Sequence, residues 1–323
     1  RKYIKYNRSI RNIPKSPGGA LLLYFSNIEG RRNNMKRLGL FYFSGTGNTR
    51  LVAGHIGEEF REMGWEVTEV NMESVTMKSE LPNLEEFDLI GIGAQVIGYT
   101  LPRRASKFVK LLPRSQKGTP VFIFRTCGGV AETNYTASHS LMKMLGKKNY
   151  SVFYERLFSI GSNWIFKFDD DIMRRLYEAT QRKIKLMCRE VTEGRRRFYE
   201  TSLGLRLKKK LISGQSQLFF QLMGKNMQVT QNCSKCGLCA KNCPEKNIKI
   251  VNGRVKFKSN CSACLRCVYQ CPNKAIRFRF LKFIPLKNGY DVKQSLSPDK
   301  NIKEETNGRI PPFFERYISD DTM

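Results

Sequence analysis

Eight of the ten cysteines fall between Cys233 and Cys271, and they write one pattern twice. Cys233, Cys236, Cys239 and Cys243 are followed by Pro244; Cys261, Cys264, Cys267 and Cys271 are followed by Pro272. Two-residue gaps let a tightly coiled loop aim three thiolates at one polynuclear centre, with the fourth ligand arriving from elsewhere. Structural zinc also uses C-x-x-C pairs, but it takes four ligands per ion and gives a third cysteine two residues on no task. Disulfide frameworks belong to small secreted chains, whereas this one has 323 residues and no complete export signal. Neither structural zinc nor a disulfide framework accounts for the spacing. Cys127 and Cys188 stand outside both runs and read as packed thiols.

The doubled C-x-x-C-x-x-C-x-x-x-C-P run resembles that of bacterial two-cluster ferredoxins, where the fourth cysteine of each run binds the other cluster. That resemblance implies one site of Cys233, Cys236, Cys239 and Cys271, and a second of Cys261, Cys264, Cys267 and Cys243. Between the runs, Ile248 to Phe257 reads as a hairpin turning at Asn252-Gly253, similar to the short excursion of dicluster ferredoxins. Ile248, Ile250, Ala275 and Ile276 give each run an apolar segment after its last cysteine, as a pseudo-repeat would have it. Leu238, Leu265 and Val268 are expected to keep water from the clusters.

Upstream, residues 37–165 alternate apolar runs with helical stretches, the pattern of an α/β parallel sheet. Strands are expected at Leu38 to Phe43, Glu66 to Val70, Asp88 to Ile92, Val121 to Arg125 and Ser151 to Leu157. Helices are expected at Thr49 to Met63, Arg103 to Leu112 and Thr133 to Leu145. Five strands suit the smaller doubly wound fold.

The first strand runs into Ser44-Gly45-Thr46-Gly47-Asn48-Thr49 and turns directly into helix. Glycines permit a tight turn, hydroxyls donate hydrogen bonds, and the helix presents its positive end to an anion. The loop is neither the dinucleotide G-x-G-x-x-G nor a triphosphatase loop with Gly-Lys-Ser/Thr. It resembles the S/T-x-T-G-x-T loop of flavodoxins, which holds the phosphate of FMN. The resemblance implies ring contacts from Ala94, Gln95 and Tyr99 after the third strand and from Thr126, Cys127, Gly128 and Gly129 after the fourth. Tyr99 or Trp164 could stack on the flavin, or both could be packed aromatics. Cys127 reads as a small loop-filling thiol that could also face the flavin.

The sequence divides into a basic extension (1–36), a flavodoxin-like domain (37–165), a basic helical connector (166–228), a 2[4Fe-4S] ferredoxin domain (229–281) and a tail (282–323). In the connector, Asp169, Asp170 and Asp171 suit the start of one helix and Gly194 its end. A second helix is expected from about Leu203 to Met223. Its Arg206 and Lys208 to Lys210 beside Leu207, Leu211, Leu218 and Leu222 fit an amphipathic connector packed between domains, or a peripheral helix on a membrane surface. The chain is expected to start natively at Met35, after a translated leader or disordered extension, and to be loosely ordered from about Leu286.

Net charge is +29, with 12 Lys or Arg against one acid between Val229 and Lys282. Acidic proteins, an anionic membrane or nucleic acid could answer such charge. No aromatic-interleaved basic module is present, so acidic redox partners are expected and nucleic acid is not. The longest strongly apolar run, Ala20 to Phe25, is too short to span a bilayer, and a cytoplasmic location is expected. His55 and His139 are the only histidines and read as surface or packed side chains, so no catalytic acid or base is expected. The whole resembles the bacterial and archaeal fusions of a flavodoxin-like domain to a two-cluster ferredoxin domain, which implies an electron carrier with FMN and two [4Fe-4S] clusters. Two other classes fit the same residues: a ferredoxin-fed flavin reductase of a small molecule, and an iron-sulfur sensing or binding protein whose flavodoxin-like domain is empty.

Overall fold

In the computed structural model, residues 35–78, 81–166, 168–296 and 312–322 are described. The first 34 residues, for which a leader or extension was expected, lie outside them. Five apolar runs form one parallel sheet: β1 (Arg37–Phe43), β2 (Glu66–Asn71), β3 (Leu89–Gln95), β4 (Pro120–Cys127) and β5 (Ser151–Ser159). Their order is β2-β1-β3-β4-β5, the flavodoxin-like arrangement in which the order of strands across the sheet reverses at the switch point between β1 and β3. Strands β1, β3, β4 and β5 are buried almost throughout, because helices cover both faces.

Side chains alternate between the two layers as strand geometry requires. Leu38, Leu40, Phe122 and Phe124 meet Val52, Ile56 and Phe60 of α1 (Asn48–Glu62). Phe41, Phe43, Ile90, Ile92 and Val121 face the other layer, formed by α2 (Met72–Lys78), α3 (Arg103–Leu111) and α4 (His139–Lys147). A Cβ on Gly93 would lie 2.0 Å from the Phe124 ring, so glycine there lets the ring lie flat across the sheet. Helix α2 has no counterpart among the sequence expectations. The helix expected over 133–145 divides into a 3-10 turn, Glu132–Thr136, and α4.

Helix α5 (Asp170–Thr192) starts as its aspartates predict, with Asp169 Oδ1 accepting from the Asp171 N–H, and Gly194 follows its end at φ 68°. The boundary expected at residue 165 is corrected by its packing. Ile184, Met187, Cys188 and Val191 enter the same cluster as α1 and the sheet, so α5 is the last covering layer of the sheet and no connector. Its periodic apolar face was legible, but the partner of that face was not.

Helix α6 (Leu203–Asn226) follows, capped by Ser202, whose hydroxyl accepts from the Leu205 N–H at 3.1 Å. A smaller unit comes next. Its strands β6 (Met227–Val229) and β9 (Ile276–Phe278) pair antiparallel, and β7 (Ile248–Val251) and β8 (Arg254–Phe257) form the expected hairpin, with Asn252 and Gly253 both at positive φ. Two single turns, α7 (Leu238–Lys241) and α8 (Arg266–Tyr269), sit within the cysteine runs. Met223, Met227, Leu265, Ile276, Phe278 and Ile284 build its core.

A loosely ordered tail from Leu286 is also corrected within the described residues. Val292 is buried in the main core, with Tyr290 packed against it, and helix α9 (Val292–Ser295) follows. Phe314 and Tyr317 of α10 (Pro312–Ser319) are buried against α5. Tyr317 Oη accepts from the Ser159 N–H at 3.0 Å and shares a 2.8 Å hydrogen bond with Thr180. The carbonyls of Asp320, Asp321 and Thr322 accept from Lys183, Arg156 and Arg197. The apolar residues anchoring this return are isolated among polar ones, so no periodic pattern advertises it.

Candidate functional site

The loop between β1 and α1 is a tight turn closed on itself. Gly47 adopts φ 112°, and its N–H donates to Ser44 Oγ at 3.1 Å. The first turn of α1 has N–H groups without intrahelical partners, which leaves an anion cradle at its positive end. Thr49 and Thr126 share a buried 2.8 Å hydroxyl bond that ties the cradle to the end of β4. Oriented to satisfy both neighbours, the Gln95 amide donates to the Phe43 carbonyl at 2.9 Å and accepts from the Gly45 N–H at 3.3 Å.

A cleft opens over this turn. Of the residues expected around a flavin, Ser44, Gly45, Thr46, Asn48, Thr49, Gln95, Thr126, Cys127 and Gly128 line it. Gly47 shapes the turn from behind. Ala94 lies within the buried sheet layer, Gly129 accepts from Asn134 at 2.7 Å, and Tyr99 sits half-buried at φ 60° off the lining. Trp164 packs edge-on against Phe220 of α6, 6.2 Å between ring centres, in the core of the smaller unit. Burial pushes the Cys127 thiol up to about 12, so its sulfur stays protonated at neutral pH. His55 bonds Tyr177 at 2.7 Å, away from this cleft.

The lining also takes in Val96 and Ile97, next to Gln95 in the same loop, Gly161 and Asn163, next to Trp164, and Cys264, which the sequence placed only among the cluster ligands. Asn163 donates to Thr46 Oγ1 at 2.8 Å, and Asn48 donates to the Gly161 carbonyl at 3.2 Å. The available signal was position: Gly161 to Asn163 follow β5 at the same carboxyl edge of the sheet as the other loops.

Cys233, Cys236, Cys239 and Cys271 line a second cleft, walled by Val229, Leu238, Val255 and Ile276. Of the other four, Cys261 and Cys264 are buried and Cys243 and Cys267 half-buried, with Cys261 and Cys267 in the core of the smaller unit. Burial, followed by the neighbouring thiols of Cys264, Cys261, Cys243 and Cys239, holds Cys267 well above its ordinary value. Cys261 rises to about 12 from burial and then Cys264. Among the described residues no three His, Cys, Asp or Glu side chains close on one point as a bare ion requires; the ligands of a cubane each bind a different iron and stand wider apart.

The pseudo-repeat is visible in the backbone at an offset of 28 residues. Lys235 and Ala263 adopt φ 56° and 57°, and their N–H groups reach Cys233 Sγ and Cys261 Sγ at 3.4 and 3.3 Å. Asn247 and Ala275 donate in the same way to Cys243 Sγ and Cys271 Sγ, both at 3.2 Å. Lys246 and Lys274, just before them, share φ 49° and 47°. Donors aimed at sulfur suit thiolates, whose negative charge they stabilise.

One guanidinium joins the two units. Arg266, between Cys264 and Cys267, pairs bidentately with Glu73 at 2.7 and 2.5 Å. It also donates to the carbonyls of Ser44 (2.6 Å), Gly45 (3.0 Å) and Asn242 (3.1 Å). On the neighbouring helix α3, Arg103 donates to the Cys261 carbonyl at 3.1 Å and Lys107 to Glu245 at 3.0 Å.

Residues 40–157 match the flavodoxin domain family. They form a flavodoxin-like domain. Solved structures similar to it include a flavodoxin from the domain Archaea, 18% identical over 48% of this chain and 98% of that one, with TM-score 0.33. Oxidised Flavodoxin 2 from Bacillus cereus is 17% identical over 49% of this chain and 97% of its own, with TM-score 0.36. The rubredoxin oxygen:oxidoreductase of Desulfovibrio gigas is 12% identical over 53% of this chain and 36% of that one, with TM-score 0.34. No curated protein matches the chain. The flavodoxin-like domain keeps its phosphate-type turn at the carboxyl edge of the sheet, where ligands of open α/β folds bind. Among the described residues no helix is long and apolar enough to cross a membrane.

Proposed function

We propose that this chain is an electron-transfer protein that couples FMN to two [4Fe-4S] clusters. FMN would be held at Ser44 to Thr49 with Gln95, Thr126, Cys127 and Gly128. One cluster would be held by Cys233, Cys236, Cys239 and Cys271, the other by Cys261, Cys264, Cys267 and Cys243. The observation that carries the reading is that Cys264 lines the same cleft as the Ser44–Thr49 turn. FMN accepts one or two electrons and a cubane one at a time, so adjacent sites on one polypeptide convert between the two without diffusion.

The protein's own groups have separable tasks. The α1 N-terminus and its hydroxyls suit a phosphate dianion. Backbone donors to Cys233, Cys243, Cys261 and Cys271 would stabilise the more negative, reduced state of each cluster, as would the many Lys and Arg side chains. Arg266 fixes the distance between the two units through Ser44, Gly45 and Glu73. Acidic redox partners would complement the +29 charge.

Anaerobically purified protein tests the reading by its iron, sulfide and flavin content. About eight irons, about eight sulfides and one FMN per chain are expected. Zinc in place of iron and sulfide, or a chain that refuses FMN on reconstitution, overturns it.

A further inference from the structure

Helix α6 carries two apolar faces, and among the described residues only one of them has a partner. Phe220 and Met223 are buried against the smaller unit, and Ser216 donates to the Gly98 carbonyl at 3.2 Å on the same side. About half a turn away, Leu203, Leu207, Leu218 and Leu222 fall within an arc of about 100° at 3.6 residues per turn. Each is between 54% and 76% exposed. The outer face of a helix on a soluble surface is ordinarily polar, so a leucine stripe there is informative in a way that a scattered leucine is not.

The stripe continues onto its neighbours. Phe280, 83% exposed, has its N–H on Asn226 Oδ1, one turn beyond Leu222. The exposed Phe283 directly precedes Ile284, whose carbonyl accepts from Ile165 at 2.8 Å, which brings the exposed Ile165 and Phe166 alongside. Charge selects the occupant. From Thr201 to Tyr290 the chain holds eighteen Lys or Arg and a single acid, Glu245. That acid is buried and paired with Lys107 at 3.0 Å, so it offsets nothing at this surface. Exposed Lys225, Arg279 and Lys282 stand among the apolar side chains. A second copy of the chain or its own basic residues 1–34 would bring like charge, and nucleic acid would leave the leucines in water.

We infer that this face, α6 with Phe280 and Phe283, docks on an anionic lipid bilayer, leucines and phenylalanines entering the headgroup boundary while Lys and Arg meet lipid phosphates. Both halves of the attraction are those of an interfacial helix. The chain would then work at a membrane surface without crossing it.

Cosedimentation of the full-length, cofactor-loaded protein with two vesicle types tests this: pure phosphatidylcholine, and phosphatidylcholine with roughly one third phosphatidylglycerol. Binding to the anionic vesicles is expected, falling with added salt, and at least about tenfold weaker to the neutral ones. The triple variant Leu207→Gln, Leu218→Gln, Leu222→Gln should keep the wild-type melting temperature, since these side chains are exposed, and lose roughly tenfold or more of the vesicle binding. Phe280→Ser should weaken it in the same direction. Absence of binding, or binding unchanged by the triple variant, overturns the inference. So does a wild-type dimer that the triple variant converts to monomer, or binding that appears only once residues 1–34 are removed.

Discussion

Gly45 lies so close to Cys264 that a Cβ on the glycine would stand 3.0 Å from the cysteine Cβ and 3.1 Å from its carbonyl oxygen. A turn in the sheet domain and a loop of the cysteine unit are thus in backbone contact, 219 positions apart in sequence.

Gly45→Ala should therefore separate the units. The added methyl meets backbone on one side and the Gln95 amide at 3.1 Å on the other, and neither is the free end of a flexible chain. A loss of about 1–3 kcal/mol in urea unfolding is expected, with weaker retention of flavin on gel filtration. Gly54→Ala is the control: a Cβ there meets nothing within 4 Å in the middle of α1, so that variant should gain roughly 0.5–1 kcal/mol.

Arg266→Met should cost about 3–5 kcal/mol, because it strands the Glu73 carboxylate, 12% exposed, without its partner. Three carbonyls lose their donor in the same change. Arg266→Lys keeps the charge but not the planar fork and should fall between wild type and Met. Equal stability of Met and wild type in chemical denaturation would show that the guanidinium carries no load.

Lys183 gives the fold a pH dependence of unusual sign. Burial, followed by Arg156, lowers its ammonium to about 7, against which Asp321 and Asp320 push back. An unfolded lysine titrates near 10.4, so between about pH 7 and pH 10 the unfolded chain binds the extra proton and stability from this group rises with pH. Below pH 7 both states are protonated and the contribution is flat. Lys183→Met should abolish that rise when melting temperatures are compared from pH 6.5 to 9, whatever its effect on absolute stability.

If the cysteine runs hold clusters as proposed, replacing exposed Lys235, Lys241 and Lys274 together with Gln should lower their midpoint potentials. Each cation near a cluster favours its reduced form, and effects on the order of tens of millivolts follow from Coulomb's law at a high effective dielectric. Direct voltammetry of wild type and variant reads the difference; unchanged or higher potentials would count against cationic tuning.

What was legible in the sequence was what is local. Strands β1, β3, β4 and β5 announce themselves as apolar runs because both of their faces are covered, and Asn252-Gly253 announces its hairpin because few other residue pairs accept two positive φ angles. The turn at Ser44 to Thr49 was readable for the same reason. Helix α2 escaped because Met72–Lys78 is too short to show a period. The long-range matches were invisible in principle. A guanidinium in Arg266 advertises a partner, but nothing local says that the partners are Glu73 and two carbonyls more than 190 positions earlier. The leucines of α6 were seen as one apolar face; that Phe220 and Met223, and not Leu207, Leu218 and Leu222, face inward depends on which side the smaller unit occupies.

The chain leaves the sheet domain through α6, builds the cysteine unit, and then comes back: Tyr290 and Val292 rejoin the main core, and α10 lies down on α5. The smaller unit is thus an insertion stitched at both margins rather than a pendant on a leash. A pendant would find its docking site by search, with a rate set by linker length; a stitched loop has no search to make. On the proposed function, whatever passed between Cys264 and the turn at Gly45 would cross a standing gap, its width set by the seam and not by a search.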